Sequence, residues 1–143
     1  MTYQEYLTDH GITEASIQKF GLKNETDLMG TNSVVIPIRN SAEKPIFNKY
    51  RHLGADTVKY TADLGSHASL FNSQVLSQSS SYVIICEGEI DCIRLDQERI
   101  VAVTSTGGAG SFNEEWVSLF RGKDVLVLLD NDEAGRVGIE KLL

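Results

Sequence analysis

The spacing of apolar residues divides this chain into two kinds of structure. Residues 1–28 read as two short helices. Thr13 is a favoured N-cap, Ile12 and Ile17 have the spacing of a hydrophobic staple, and Gly21 follows the last turn at Phe20. Two extended runs follow, SVVIPIR and PIFNKYR, separated by the polar residues 40–44, and they predict an antiparallel hairpin. The run SQSSS at residues 77–81 is a polar, low-complexity joint. Beyond it the period changes. YVIIC, IVAVTS and VLVLL are continuous apolar runs rich in Val and Ile, and residues 89–97, 112–120 and 132–143 have helical composition. Strands apolar on both faces, alternating with helices, predict a parallel sheet covered on both sides. The expected organisation is α/β: a sheet-and-helix domain over residues 81–143, preceded by a small α+β basic subdomain over residues 1–80.

Composition adds limits. The 143 residues suffice for one ordinary domain or two small ones, and an apolar share of 41% is enough for a proper core. No run of about 18 apolar residues occurs, and the N-terminus MTYQEYLTDH lacks a basic stretch followed by an apolar one. Membrane insertion and secretion are therefore not expected, and a cytoplasmic location is. Cys86 and Cys92 are too few and wrongly spaced for a zinc ribbon and read as buried thiols. His10, His52 and His67 form no metal-ligand spacing.

A net charge of −7 argues against a nucleic-acid partner, but its distribution does not. Residues 34–60 carry a net +3 from Arg39, Lys44, Lys49, Arg51 and Lys59 against Glu43 and Asp56, whereas residues 81–143 carry −6.

Open parallel sheets bind ligands at the carboxyl ends of their strands. All three predicted strands end in polar, charged or glycine-rich sequence. YVIIC runs into Glu87-Gly88-Glu89-Ile90-Asp91, IVAVT into a loop with Gly107, Gly108 and Gly110, and VLVLL into Asp130-Asn131-Asp132. In extended chain, Asp130 and Asp132 share one face, and Glu87 ends another strand of the same sheet. Each unscreened carboxylate pair at about 4 Å costs about 4 kcal/mol at an effective dielectric near 20. Such acids must splay into water, take up protons or share a cation. Capping of the following helix and an ordinary solvated turn explain the octet LLDNDEAG on its own. Three convergent ends favour the cation. Oxygen donors without soft ligands suit Mg²⁺, or Mn²⁺, working with phosphate groups. The glycines permit close approach of an anion to backbone amides, and equally permit a plain strand-to-helix turn. Asp91 is either a supporting acid or a first-turn helix acid.

Glu87-Gly88-x-x-Asp91, a glycine loop after the next strand, and Asp130-x-Asp132-x-Ala134-Gly135 together resemble the Toprim domain. That domain is shared by bacterial-type primases, phage helicase–primases, type IA and II topoisomerases and some nucleases. The form ending at Arg136 looks most like the helicase–primase branch. Upstream, IPIRNSAEKPIFNKYR, Lys59-Tyr60 and Leu70-Phe71-Asn72 are similar to the basic N-terminal subdomain of primase catalytic cores. The resemblance implies metal-dependent synthesis of RNA primers on a single-stranded DNA template from nucleoside triphosphates during replication, in a bacterial or phage-infected cell, with a replicative helicase in cis or in trans. It implies Glu87, Asp130 and Asp132 as catalytic and metal-binding acids and Asp91 as a supporting acid. Lys49, Arg51 and Lys59 become contacts to nucleotide or template phosphates, and Gly107, Gly108 and Gly110 candidates for a phosphate loop. The family's zinc ribbon is absent, and the chain ends about one helix after Asp132. A Toprim domain truncated at its C-terminus is therefore expected, in a fragment or reduced relative of a larger primase or helicase–primase. The alternatives are a Toprim nuclease or topoisomerase-type phosphodiester enzyme, and a non-catalytic Toprim module that binds nucleic acid or nucleotide. A phosphatase with Asp130 as nucleophile fits less well, because its Asp normally ends the first strand of the core.

Overall fold

The computed structural model describes residues 1–55, 58–108 and 110–130. The expected helix over residues 132–143 lies outside them. The described chain forms two compact units. One comprises Met1–Ile38 and Pro45–Ser66, the other Arg39–Lys44 and the chain from His67 onward.

The first unit opens with helices α1 (Tyr3–Asp9) and α2 (Glu14–Phe20). Thr2 caps α1 in a reciprocal box: its hydroxyl accepts from the Glu5 amide at 3.1 Å, and the Glu5 carboxylate accepts from the Thr2 amide at 2.8 Å. This arrangement holds the Glu5 carboxyl below its usual value, chiefly through the bond from the Thr2 amide. Thr13 caps α2, and Gly21 ends it in the left-handed conformation at φ 69°, as the sequence predicts. Four strands follow in the order β1 (Lys23–Thr26), β2 (Asn32–Arg39), β3 (Pro45–His52) and β4 (Tyr60–Ala62), each beside the next in one sheet. Leu53 donates to the Asn32 carbonyl and Asn40 to the Lys44 carbonyl, which makes β2 and β3 the expected antiparallel hairpin. Its turn is fixed by the Asn40 side chain, whose oxygen accepts from the amides of Ala42 and Lys44. The buried apolar residues are Tyr6, Leu7, Ile12, Phe20 and Leu22 on the helical side, with Val34, Val35, Ile36 and Ile38 on β2. One expectation fails in this unit. Residues 23–26 fall in the stretch read as helical but form strand β1, whose four residues are all exposed and pair with β2 through the backbone.

The second unit holds a sheet in the order β5 (Leu70–Phe71), β7 (Ala102–Ser105), β6 (Tyr82–Cys86), β8 (Asp124–Leu128). β6 runs parallel to both β7 and β8, while β5 runs antiparallel to β7. β6 and β7 are buried along almost their whole length, which is why their sequences are continuously apolar. One sheet face, with Val83, Ile85 and Val103, joins Leu70, Val75 and Phe120 in a core cluster with Phe112, Trp116 and Val127 packed against it. The other covers its apolar residues with helix α3 (Glu89–Gln97), which buries Ile90, Cys92 and Ile93. Burial pushes the Cys92 thiol well above its ordinary value, so it remains protonated and donates to the Ala102 carbonyl at 3.3 Å. The segment read as a helix over residues 112–120 is instead a 3₁₀ turn, Glu114–Phe120, with Asn113 capping its start.

Candidate functional site

In the second unit the acids sit at the carboxyl edge of the parallel strands. β6 ends at Cys86, and Gly88 turns the chain at φ 95° and ψ 150°, a conformation that only glycine tolerates at low cost. The Gly88 amide donates to the hydroxyl of buried Thr104 on β7 at 3.1 Å, which fastens this turn to the neighbouring strand. Glu87 is thereby held at the strand end while α3 begins two residues later. Cys86 and Leu128 are register partners on β6 and β8, so the two chains leave the sheet side by side. The consequence is direct: the Asp130 amide donates to the Glu87 carboxylate at 2.5 Å. Glu87 and Asp130, 43 residues apart in sequence, meet at one sheet edge. Asp91, exposed on the first turn of α3, lines the same cleft as Asp130, together with Arg94, Leu128 and Leu129. Asp132 lies outside the described residues. Among the described residues no three His, Cys, Asp or Glu side chains form a ready metal site. The candidate ligands at this edge are the acids Glu87, Asp91 and Asp130, and the nearby Cys86 thiol is buried and points to backbone carbonyls of Val103 and Gly88. Such a set fits a hard, oxygen-loving divalent ion.

The glycine loop after β7 is tied to itself. The Gly107 amide donates to the Ser105 hydroxyl at 3.3 Å and the Gly108 amide to the Ser105 carbonyl at 3.2 Å. A Cβ on Gly107 would stand 2.3 Å from the Ser111 hydroxyl oxygen, and Gly108 has φ 91°. Close packing and backbone conformation account for both glycines, and an anion would have to displace bonds inside the loop. Gly110 is exposed.

In the first unit Lys49 and Arg51 lie on one face of β3, with Ala62 and Tyr60 of β4 as their register partners. The Arg51 guanidinium lies over two aromatic rings, Tyr6 of α1 and Tyr60 of β4, at 5.3 Å from each centroid. It also donates to the His52 carbonyl. The Lys49 ammonium is 4.8 Å from the Tyr60 ring. Arg51 and Lys59 line one cleft with Tyr6, His10 and Gly54. Among the described residues no carboxylate pairs with Arg51 or Lys59. The opposite face of β3 is locked by neutral and acidic partners. His52 bridges the Ser33 and Thr61 hydroxyls at 2.8 and 2.7 Å, and Tyr50 donates to Asp63 at 2.8 Å. That bond, with lesser help from burial, raises the Tyr50 phenol above its ordinary value. The sequence pointed to the three cations but not to Tyr6 and Tyr60. The one signal available was the Lys59-Tyr60 pair beside the predicted hairpin; Tyr6 lies too far along the chain for any periodicity to connect it.

Residues 84–143 match the Toprim-like family Toprim_2. The chain is 27% identical over 147 residues to the DNA primase of Rickettsia bellii (strain RML369-C), with 93% of this chain and 24% of that protein covered. The chain thus spans about a quarter of the curated relative it matches. The fold is that of solved primase cores. The DnaG primase catalytic domain bound to ssDNA superposes with a TM-score of 0.72 at 22% identity, over 96% of this chain and 58% of that one. The primase fragment of the bacteriophage T7 primase-helicase protein gives a TM-score of 0.73 at 23% identity, over 94% of this chain and 57% of that one.

Proposed function

This chain resembles DNA primases of the Toprim type in sequence and in fold, and from that premise we propose that it is the catalytic core of a primase. In this reading it makes RNA primers on single-stranded DNA from nucleoside triphosphates, as part of a larger cytoplasmic primase or helicase–primase of a bacterial or phage-infected cell. The observation that carries the reading is the meeting of Glu87 and Asp130 at one sheet edge. The bond brings two acidic residues from separate strand ends to one edge of the sheet, where phosphoryl chemistry needs acids.

Glu87, Asp130 and Asp132 would hold Mg²⁺ or Mn²⁺, with Asp91 supporting. When bound, the ion supplies a Lewis acid that activates the primer 3′-hydroxyl and stabilises the leaving pyrophosphate. The chain's own residues do the rest. The Glu87 carboxylate is oriented by the Asp130 amide at the strand end. Arg51, Lys59 and Lys49 bind phosphates of nucleotide or template, and their positive charge adds a salt-dependent attraction for single strands. The glycine loop shapes the neighbouring strand end; a direct phosphate contact by Gly107, Gly108 or Gly110 is secondary to that.

The test is Mg²⁺-dependent incorporation of labelled ribonucleotides on a single-stranded template by the full-length parent protein. Glu87→Gln and Asp130→Asn each reduce incorporation by more than about a hundredfold, the scale set by losses around metal sites. Activity of both variants near the unmutated level overturns the reading. Mg²⁺-induced thermal stabilisation with no incorporation by the unmutated protein assigns the chain to the non-catalytic binding class instead.

A further inference from the structure

Two tyrosines stand where a positioning device for Arg51 is needed. A guanidinium donates hydrogen bonds in its plane and stacks on aromatic rings with its faces. Arg51 uses both properties: one N–H group goes to the His52 carbonyl, and the carbon at its centre lies over the rings of Tyr6 and Tyr60, 5.3 Å from each. Both distances are inside the range of about 6 Å for a cation–π contact. The two rings come from different elements. Tyr60 is the register partner of Arg51 across β3 and β4, whereas Tyr6 is a buried residue of α1. A long cationic side chain on a strand ordinarily samples many rotamers and loses that freedom on binding. Here the rings restrict it beforehand.

We propose that Tyr6 and Tyr60 are positioning residues that pre-order Arg51 for a phosphate in the cleft it shares with Lys59. The inference rests on the reading that Arg51 contacts phosphate. It assigns the tyrosines no contact with nucleic acid; the Tyr6 ring acts through Arg51, and the Tyr60 ring, which also faces the Lys49 ammonium at 4.8 Å, acts through Arg51 and Lys49. This has a distinctive signature. The salt dependence of binding counts the phosphates neutralised, and removing a ring leaves the number of charges unchanged. A ring variant therefore lowers affinity without changing the slope.

The experiment is a salt titration of a fluorescent single-stranded oligonucleotide against the unmutated chain and its variants. Tyr60 is 38% exposed, so Tyr60→Leu is the variant expected to fold normally, and a thermal melt checks it. Tyr60→Leu weakens binding by roughly threefold to thirtyfold, the range of cation–π contacts, while the log–log slope stays within about 0.2 of the unmutated chain. Tyr60→Phe, which keeps the ring, restores affinity to within about twofold. Tyr6→Phe is equally silent, while Tyr6→Leu behaves like Tyr60→Leu. Arg51→Ala reduces the slope by about 0.7, and Tyr60→Leu changes nothing further on a background that lacks both Arg51 and Lys49. A ring variant that still weakens binding when both Arg51 and Lys49 are Ala overturns the inference, because the ring then touches the nucleic acid itself. Unchanged affinity in Tyr60→Leu overturns it as well, and leaves phosphate contact by Arg51 standing. An Arg51→Ala slope equal to the unmutated one removes the underlying reading instead.

Discussion

The two sheets of this protein offer chemistry in opposite places. The antiparallel sheet of the first unit buries one strand deeply, β2, and leaves β1 and β4 exposed. Its useful side chains stand in a row on a strand face, at the period-2 spacing of Lys49 and Arg51. In the parallel sheet of the second unit β6 and β7 are covered on both sides, whereas the edge strand β8 is exposed, with apolar Val125, Leu126 and Leu128. The buried strands β6 and β7 leave their ends for acidic groups, and Glu87 and Asp130 are found at such ends. A sheet with a solvated face can read a long polyanion along its length. A sheet covered on both faces can concentrate charge at a point. The basic and acidic halves of the sequence follow from that difference in architecture.

The comparison is tested most severely in the cores. On β6, successive residues face opposite layers, and both layers are filled. Ile84→Ala and Ile85→Ala should each destabilise the second unit by about 2–5 kcal/mol, measured in denaturant melts followed by the fluorescence of Trp116, the chain's single Trp. On β3 the alternation should be plain, with Lys49→Ala changing stability by less than about 0.5 kcal/mol as expected of a surface position. A small effect at either β6 position would mean that one face of that sheet is not a true core.

The next effect separates strand ends from strand face. Mg²⁺ at a hundred times its dissociation constant should stabilise the chain by about 2.7 kcal/mol, read as a rise in melting temperature. Asp130→Asn should remove most of that rise and Arg51→Ala none of it. Equal loss in both variants would erase the division of labour between the sheets.

A smaller effect concerns the helix that carries Tyr6. Thr2→Ala removes the cap of α1 and should cost about 1 kcal/mol. The Glu5 carboxyl is held below its usual value by the Thr2 amide, so its contribution is present above the unfolded carboxyl value and is lost as pH falls through the lower folded one. Melting temperatures measured down that acid range should fall more steeply in the unmutated chain than in Glu5→Gln.

The smallest effect is spectroscopic. The Asp63 bond raises the Tyr50 phenol and burial raises the Tyr3 phenol, so phenolate absorbance should show two tyrosines titrating above the ordinary value of about 10. The associated stability is intact below the unfolded value and is lost as pH rises through the folded one. Asp63→Asn should bring the Tyr50 titration down and leave that of Tyr3 in place.

Much of this organisation is legible in the sequence where local chemistry dictates it. The glycine at 21, the Asn40 turn and the helical stretch 89–97 all appear as read, because each depends on residues within one or two turns of chain. The parallel pairing of the strands ending at Cys86 and Leu128 was legible from their continuous Val and Ile runs, whereas the cover expected over the VLVLL run is not found among the described residues: β8 is largely exposed. What was missed lacks a local signal. β1 is Lys-Asn-Glu-Thr, four polar residues held by a partner strand, and β5 is two residues long, too short to show any period. The rings around Arg51 come from two other elements, and only folding brings α1 beside β3.

The bond between the Asp130 amide and the Glu87 carboxylate has a genetic consequence. The donor is main chain, so it survives any non-proline replacement of the Asp130 side chain, and Glu87 keeps its orienting partner. Mutation can therefore silence one acid without dislodging the other. On the proposed reading of Asp130, a lineage that loses this side chain in a single step still inherits the main-chain bond at the sheet edge, ready for reversion. A screen for revertants of Asp130→Asn should accordingly yield changes at that codon alone, with none needed at Glu87 or Gly88 to rebuild the site.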